Sequence, residues 1–463
     1  MNEAQAVSKG KYLLLLGATM ALRERAIIAA ARTFPGPIAT IAPTTRTRAG
    51  KFFDFVLQGV ISDPESALEA VRKFERDTGY TPVAVVPLLD GILYAGLAIA
   101  EHYDLPYLSR DTVYTSSINK NLMKDRMLAA GIATPRYIQV NSIDDVHAAI
   151  GELSLPCVIK PSAFGGSLGV RLIREQTDAG NAYEYVKNII DQAAATFTVK
   201  NRSVQVEEFC TLTDEVSVEV LNHHDQRTVL AVVDKSLGPE PFFAEIGHRL
   251  PSRYSGRRDV LDMAVASCAA IGMDHGMAHV EIRLQSDQQP QLIEVGARTA
   301  GDGILDLVER VHGLSPYALH VQSYLEQLDE LPLPATPCGV AAIAMLKAPA
   351  GRITEIRDPA TVDAAVSSYE ISAAAGDISS AVSANYLTRE GYVECFWPDA
   401  GISSIPPRAH IDIADHLSAQ IFAIATDAAA GPDLLLPISS PSPAPPGCPA
   451  PIADSRGRPA RCR

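Results

Sequence analysis

The sequence predicts a multidomain protein that combines α/β and α+β architecture. Strand-like and helix-like segments alternate through roughly the first 110 residues, which is typical of a doubly wound parallel sheet. From Asn119 onward, runs of strand-like residues follow one another with only occasional helices between them. The chain has 463 residues, enough for two or three domains.

The N-terminal unit, predicted over residues 1–112, alternates as a doubly wound domain requires. Its predicted strands are Tyr12–Leu16, Pro37–Ala42 and Val83–Leu89, and its predicted helices are Ala21–Phe34 and Pro64–Thr78. The first strand ends in Gly17-Ala-Thr, and no GxGxxG fingerprint follows it. A redox enzyme of the dinucleotide-binding class is therefore not expected.

The next unit, predicted over residues 113–330, is mainly β-structure. Its predicted strands are Arg136–Val140, Cys157–Lys160, Val170–Arg174, Val204–Phe209, Glu215–Leu221, Val229–Lys235, Val280–Leu284 and Gln291–Val295. Helices are predicted at Asn119–Ala130, Asp144–Glu152 and Asp259–Gly272, and a loop at Gly238–Ser252. Residues of about 132–210 would form a separate lobe around a glycine-rich loop.

A smaller α+β lobe is predicted over residues 331–430. It would contain strands at Gly339–Lys347 and Arg352–Ile356 and a last helix near Ile411–Ala425. From Gly431 onward the chain holds nine of its 32 prolines, together with Ser, Ala and Arg. Such a composition cannot bury a core, so residues 431–463 are predicted to be a disordered tail.

Composition limits the classes of partner. The formal net charge is -14, which argues against a nucleic-acid-binding protein because a basic surface is missing. The seven cysteines are scattered and lack CxxC spacing, so neither a disulfide framework nor a zinc site is indicated by them. The N-terminal apolar run is too short for a signal peptide or a membrane span. We therefore expect a cytoplasmic protein without a membrane partner.

Two carboxylates stand in the hairpin predicted at 280–295. Glu281 and Glu294 each occupy a position where an ordinary strand would carry an apolar residue, and Arg298 follows four residues later. Alternation along paired strands would turn both carboxylates the same way. Two carboxylates beside a guanidinium can hold Mg²⁺ against a polyphosphate, because Mg²⁺ prefers hard oxygen ligands. The alternative is a half-exposed hairpin with solvated charges.

A glycine-rich loop, Pro161–Gly169, lies between two predicted strands and contains Gly165, Gly166 and Ser167. Backbone N–H groups of such a loop can approach phosphate oxygens. A flexible turn is the alternative, but Lys160 ends an otherwise apolar strand and is costly to bury unless it meets an anion. Lys120 stands near a helix start, where a cation is electrostatically unfavourable unless it binds something.

Taken together, these segments resemble the ATP-grasp superfamily over roughly residues 10 to 420. The order agrees: Lys120, then Lys160 with its glycine loop, then Glu207-Glu208-Phe209-Cys210, then Glu281 and Glu294 with Arg298. The resemblance implies that the N-terminal unit is the domain that precedes an ATP-grasp module, and that 331–430 completes the module. It further implies ATP and two Mg²⁺ ions, for which Mn²⁺ can substitute.

The resemblance also assigns roles to residues. The two lysines and the loop residues Gly165, Gly166 and Ser167 would hold the triphosphate, whereas residues 207–210 would hold the adenine and ribose, with Glu215 also in the ATP site. Glu281 and Glu294 would hold the metal ions. The family usually places an asparagine two residues after the second glutamate, but this chain has Gly296 there. A metal ligand must come from elsewhere, or one ion is held more loosely.

Within the superfamily the chain is most similar to the L-amino-acid ligases. The stretch Phe242–Pro251 resembles the loop that those enzymes fold over their substrate. By that likeness Glu245 would bind the substrate ammonium, His248 would assist at the reacting carboxyl, and Arg298 would grip the acyl phosphate. Gly301 would lie in the substrate pocket. Some relatives have a bulky aromatic residue there, whereas this chain has small residues and Asp302. A loop histidine without a chemical role is the alternative for His248.

The sequence therefore predicts an ATP-dependent carboxylate–amine ligase that forms an amide through an acyl phosphate. Its partners would be amino acids or small amines, and a monomer or a homodimer would fit equally well. One rival is a carboxylase-type relative that activates bicarbonate with the same ATP site. The other rival is a nucleotide-binding regulatory protein without turnover. Gly296 is consistent with this rival, because it replaces a usual metal ligand of the family.

Overall fold

The structure is a computed structural model that describes residues 10–19, 22–44, 48–196, 200–285, 288–380 and 382–425. The proline-rich tail predicted at 431–463 lies outside these residues. The N-terminal unit contains strands β1 (Lys11–Leu16), β2 (Ile38–Ala42), β3 (Phe55–Gln58) and β4 (Thr81–Pro87), and helices α1 (Glu24–Thr33), α2 (Pro64–Thr78) and α3 (Leu93–Tyr103). The sheet is parallel with strand order β3-β2-β1-β4. The predicted α/β architecture of this unit is confirmed.

Local sequence explains where these elements begin and end. The apolar run of β1 is wholly buried from Tyr12 to Leu16 because helices cover both faces of a parallel sheet. Helix α2 begins after Asp63, whose carboxylate accepts a hydrogen bond from the amide of Glu65. It ends at Gly79, which adopts the left-handed conformation with a φ of 75°.

Two helices connect this unit to a small lobe. They are α4 (Arg110–Thr115) and α5 (Lys120–Ala129), and the lobe contains β5 (Tyr137–Val140), α6 (Ile143–Leu153), β6 (Cys157–Pro161), β7 (Arg171–Ile173), α7 (Ala179–Thr196) and β8 (Val204–Glu208). Its sheet is antiparallel with the order β5-β8-β6-β7. The glycine-rich loop is the connection between β6 and β7.

A large antiparallel sheet forms the rest of the protein. Its elements and the helices and strands around it are β9 (Asp214–His223), β10 (Gln226–Leu237), β11 (Glu245–Leu250), α8 (Arg258–Ala270), β12 (His275–Leu284), β13 (Gln291–Gly296), α9 (Ile304–His312), α10 (Pro316–Tyr324), β14 (Gly339–Leu346), β15 (Gly351–Ile356), β16 (Val366–Ile371), β17 (Ile378–Ser379), β18 (Gly391–Pro398), α11 (Ala409–Ile421) and β19 (Phe422–Ala425). Eight strands follow the order β13-β12-β9-β10-β11-β14-β18-β16, and β17-β15-β19 form a separate small sheet. The C-terminal strands thus extend the sheet of the preceding unit.

Two sequence-based expectations are corrected. The segment 238–252 was expected to be a loop, but Glu245–Leu250 forms β11, which pairs with β10 and β14. The polar side chains of this segment suggested a solvated loop. They are instead paired inside the protein: Arg249, for example, binds Asp234 at 3.1 Å. The last helix ends at Ile421, and Phe422–Ala425 continues as a strand.

Two further observations bear on the compositional expectations. Within the described ranges, no helix combines the length and apolar character that a membrane crossing requires. The five cysteines in those ranges, at positions 157, 210, 268, 338 and 395, are free thiols.

A buried carboxyl at the interface of the N-terminal unit and the large sheet predicts a pH-dependent stability. Asp306 on α9 is 6% exposed, and its Oδ2 lies 3.7 Å from the guanidinium of Arg25. Burial raises the pKa of Asp306 to about 7, and Arg25 only partly opposes this. The folded protein therefore binds this proton more tightly than the unfolded chain, so this group's contribution to stability is lost as the pH rises from about 4 through 7.

Asp306→Asn removes the charge and should raise the melting temperature at pH 8 while changing it little at pH 4. Melting curves across this pH range, with the exposed Asp329→Asn as the matched control, check the expectation. Parallel pH profiles for wild type and Asp306→Asn would contradict it.

Candidate active site

The residues predicted to bind phosphate come together between the small lobe and the large sheet. Lys160 is the last residue but one of β6, and its Nζ lies 2.9 Å from Oε1 of Glu207 on the neighbouring strand β8. Lys120 begins α5, and its Nζ lies 2.9 Å from Oε2 of Glu294. Both lysine side chains are less than a tenth exposed. The backbone amide of Lys120 also donates to the carbonyl of Ser162 in the glycine-rich loop.

A third lysine, Lys124, joins this group and was not singled out in the sequence. It is fully buried, and its ammonium lies 3.5 Å from Oε1 of Glu207 and donates to Thr134 and to the carbonyl of Pro135. Burial lowers the pKa of Lys124 to about 8, against the opposing effect of Glu207. Burial alone would raise the pKa of Glu207, but Lys124 and Lys160 lower it. Glu207 is therefore a buried anion between two cations.

The glycine-rich loop is fixed by contacts with two other segments. Gly166 has a φ of 63°, and a Cβ there would come within 2.6 Å of the ring of Tyr386. Its carbonyl accepts a hydrogen bond from the amide of Tyr386. Ser167 donates from Oγ to the carbonyl of Phe243. The close approach to Tyr386 explains why glycine is needed at 166, whereas a Cβ on Gly165 would meet no atom within 4 Å.

The remaining residues of the predicted hinge have other contacts than Glu207. Glu208 pairs at 2.7 Å with the exposed Arg136. Phe209 lies 6.1 Å from Phe243, ring centre to ring centre. Together with Cys210 these residues border a cavity of 440 Å³ that also touches Leu155. Glu208, Phe209 and Cys210 are thus near Glu207 in the chain but have different surroundings.

The two carboxylates of the predicted hairpin are cross-strand partners. Glu281 on β12 lies opposite Glu294 on β13 in the sheet register. Burial raises the pKa of Glu294, and although Lys120 opposes the shift, Glu281 and Asp90 reinforce it. The hairpin therefore brings together the buried carboxylate of Glu294, which pairs with Lys120, and the mostly buried carboxylate of Glu281, which pairs with Lys235.

Lys235 on β10 is the central cation of the site and was not predicted from the sequence. Its ammonium lies 2.7 Å from Glu215, 2.6 Å from Glu245 and 2.9 Å from Glu281, and its side chain is 1% exposed. Burial opposes the charge, but the three carboxylates hold the pKa of Lys235 well above its usual value. Lys235 ends the mainly apolar run Val229–Lys235, just as Lys160 ends the apolar run Cys157–Lys160. The same pattern could therefore have predicted that Lys235 is buried against an anion.

Arg298 is anchored by the N-terminal unit. Its Nε lies 2.7 Å from Oδ2 of Asp90, and the other carboxylate oxygen of Asp90 accepts a hydrogen bond of 2.6 Å from Ser117. A Cβ at Gly296 would lie 3.4 Å from Asp90 Oδ1. The carboxylate of Asp90 therefore lies within contact distance of the place that a Cβ at position 296 would occupy.

The segment predicted to cover the substrate forms a connected polar group. His248 Nε2 lies 3.2 Å from Oδ2 of Asp302, and Arg389 binds the other oxygen of Asp302 at 2.7 Å. Arg389 also donates to the carbonyl of Glu245. His248 is fully buried, and its Nδ1 has no hydrogen-bond partner in the structure. Gly301 immediately precedes Asp302, and a Cβ on it would meet no atom within 4 Å.

Comparison with known proteins agrees with this geometry. Residues 153–306 match the family described as the ATP-grasp domain. The fold and the matched residues point to the same class, that of proteins with an ATP-grasp domain.

Among curated proteins, alanine–anticapsin ligase from Bacillus subtilis (strain 168) is 27% identical over 213 residues, covering 42% of this chain and 44% of that protein. The chain thus spans about half the length of the alanine–anticapsin ligases that it matches. Among solved structures, L-amino acid ligase from Bacillus licheniformis has a TM-score of 0.73 at 19% identity, covering 90% of this chain and 99% of that one. Biotin carboxylase from Campylobacter jejuni has a TM-score of 0.62 at 15% identity, covering 89% and 94%.

Proposed function

We propose that the protein is an ATP-dependent carboxylate–amine ligase that joins two L-amino acids, or an amino acid and a related small amine. The carboxylate would attack the γ-phosphate of ATP, giving an acyl phosphate and ADP, and the amine would then displace phosphate to form the amide. The observation that carries this proposal is the connected set of Glu245, His248, Asp302 and Arg389, together with the buried lysines and with Arg298 held by Asp90. It supplies an anion for a substrate ammonium next to cations for a reacting phosphate.

The carboxylates of the site suit Mg²⁺. Glu281 and Glu294 are cross-strand partners. Glu215 is close to them because it forms an ion pair with Lys235, as Glu281 does. Burial and neighbouring anions raise the pKa of Glu294, and a further cation beside it would favour its charged form. When bound, Mg²⁺ would neutralise charge on the triphosphate. Glu281 and Glu294 are the residues proposed to hold it.

The remaining roles follow from charge and geometry. Lys120, Lys160 and the glycine-rich loop would bind the triphosphate. Buried carboxylates hold the two lysine side chains in place. Arg298, fixed by Asp90, would grip the acyl phosphate oxygens. His248 would assist at the reacting carboxyl, with its Nε2 held by Asp302. Asp302 and Arg389 would orient that imidazole.

The function is tested by measuring phosphate release from ATP and Mg²⁺ with all pairs of common amino acids, followed by mass spectrometry of the active mixtures. The proposal expects release that requires amino acids and yields an amide product. Release with bicarbonate in the absence of any amino acid would favour the carboxylase-type rival. This rival is tested because the fold is similar to that of biotin carboxylase. ATP binding without release in any mixture would favour the regulatory rival.

Replacing Glu245 with alanine is expected to raise KM for the carboxylate substrate about tenfold or more while changing KM for ATP little. The reason is that a charge-assisted hydrogen bond to the substrate ammonium contributes about 1.5–3 kcal/mol. Steady-state kinetics with each substrate varied in turn measures the difference. Glu240→Ala is the matched control, because Glu240 lies in the connection that leads to β11 but pairs with the exposed Arg174. Unchanged constants for both substrates would refute the assignment of Glu245.

A further inference from the structure

A second cluster of metal-ligating side chains lies outside the candidate active site. His223 near the end of β9 and His275 at the start of β12 are direct cross-strand partners, so both imidazoles stand at the same position along the sheet. Glu326, just after α10, completes the cluster. One ligating atom from each of these three residues lies within 4.8 Å of the other two. We call these three residues the histidine cluster.

Distances and burial show that the cluster is already assembled. His275 Nε2 lies 2.8 Å from one carboxylate oxygen of Glu326, and Nε2 of the adjacent His224 lies 2.9 Å from the other. The two cluster histidines are almost fully buried, at 5% and 7% exposure, whereas the side chain of Glu326 is 37% exposed. The site therefore has two fixed imidazoles inside and a carboxylate at the surface, where an ion could enter.

The backbone holds this arrangement in an unusual conformation. His224 and Glu326 both have positive φ angles, 54° and 55°, which are uncommon for residues other than glycine and are costly by about 1–3 kcal/mol each. These conformations direct the chain at two separate turns toward the same point.

The cluster is separate from the proposed ligase chemistry. Glu281, the proposed metal ligand on β12, is six residues beyond His275, or about 20 Å along an extended strand. No residue of the histidine cluster contributes to the roles proposed for the active site. Two imidazoles and one carboxylate are also a different donor set from the carboxylates that suit Mg²⁺, because nitrogen ligands favour zinc and its neighbours among the transition metals.

We propose that the histidine cluster binds a divalent transition-metal ion of the zinc class, with His223, His275 and Glu326 as protein ligands and water in the fourth position. The ion would tie strands β9 and β12 to the segment that leaves α10 and leads to β14. Its role would be to stabilise this connection between the two halves of the large sheet.

The experiment is a titration of untagged, metal-free full-length protein with Co²⁺ in excess Mg²⁺, followed by visible absorption and by displacement with Zn²⁺. Wild type is expected to bind one ion with the absorption of a four-coordinate nitrogen and oxygen site, and to melt at a higher temperature once Zn²⁺ is bound. Glu326→Gln and His275→Gln should weaken binding at least about tenfold. The exposed His416→Gln is the matched control and should bind like wild type.

Circular dichroism of each metal-free variant establishes that it is folded. The half-exposed position of Glu326 makes Glu326→Gln the safer of the two variants, so the test does not depend on His275→Gln. Equal Co²⁺ affinity in wild type and Glu326→Gln would overturn the proposal. A spectrum with intense thiolate-to-metal bands would also overturn it, because it would place the ion on cysteines. Absence of any bound Co²⁺ in the wild type would do the same.

Discussion

Glu294→Gln is expected to reduce amino-acid-dependent phosphate release about 100- to 1,000-fold, the scale on which loss of one preorganised charge-stabilising group lowers kcat. Glutamine has nearly the same shape and can still accept a hydrogen bond from Lys120, so the protein should remain folded. It cannot supply the negative charge that Mg²⁺ requires of a ligand. The measurement is steady-state phosphate release at increasing Mg²⁺ concentration, together with a melting curve.

Glu309→Gln provides the control for the same chemical change. Glu309 is a half-buried glutamate on α9 that accepts a hydrogen bond from Ser315, and it has no proposed part in the site. This variant should release phosphate at the wild-type rate. Wild-type turnover by Glu294→Gln at ordinary Mg²⁺ concentration would refute the proposed metal role of the hairpin.

Lys235→Met should be the most damaging single change to stability within the site. Removing the ammonium leaves Glu215, Glu245 and Glu281 close together and buried without their common cation. Breaking a buried ion pair from one side is usually destabilising by about 3–5 kcal/mol. We expect a large fall in melting temperature and loss of phosphate release. Excess Mg²⁺ should raise the melting temperature of the variant more than that of the wild type, because the ion can replace part of the missing positive charge.

Lys347→Met separates the general effect of losing a buried lysine from an effect on the site. Lys347 pairs at 2.6 Å with Glu390, and its side chain is 17% exposed. Its replacement should destabilise the protein but leave substrate-dependent turnover in the folded fraction. If Lys235→Met melted like the wild type and kept full activity, the central position given to Lys235 would be wrong.

Local patterns made part of the site predictable. Glu281 and Glu294 stood out because each interrupts an apolar strand, and the structure pairs them directly across the hairpin. Lys160 stood out for the same reason at the end of β6, and it is indeed buried against a carboxylate. A buried charge in an apolar run requires a partner, so its sequence neighbourhood reveals it even when the partner is unknown.

The unpredicted residues depend on contacts between distant parts of the chain. Asp90 is 208 positions away from Arg298, and no local pattern connects them. Arg389 reaches Asp302 from the C-terminal lobe over a separation of 87 positions. Lys124 lies on a helix whose other charges are mostly exposed, so its burial follows from packing against the small lobe. These contacts exist only after the three units have assembled.

The β11 segment shows the same limit at the level of secondary structure. Its residues Glu245, His248 and Arg249 resemble a polar loop, yet each side chain pairs inside the protein with a residue from another segment. Polarity was therefore a poor guide to exposure at this position. The polar side chains that made β11 resemble a loop are also the groups that β11 contributes to the candidate active site.

The central claim is that a carboxylate is activated by transfer of the γ-phosphate from ATP. It is tested most directly with an active amino-acid pair whose carboxylate substrate carries ¹⁸O in both carboxylate oxygens. Amide formation from an acyl phosphate must leave one labelled oxygen on the departing phosphate, so mass spectrometry of the released phosphate should find one ¹⁸O atom for each amide formed. Amide formation accompanied by unlabelled phosphate would contradict the account.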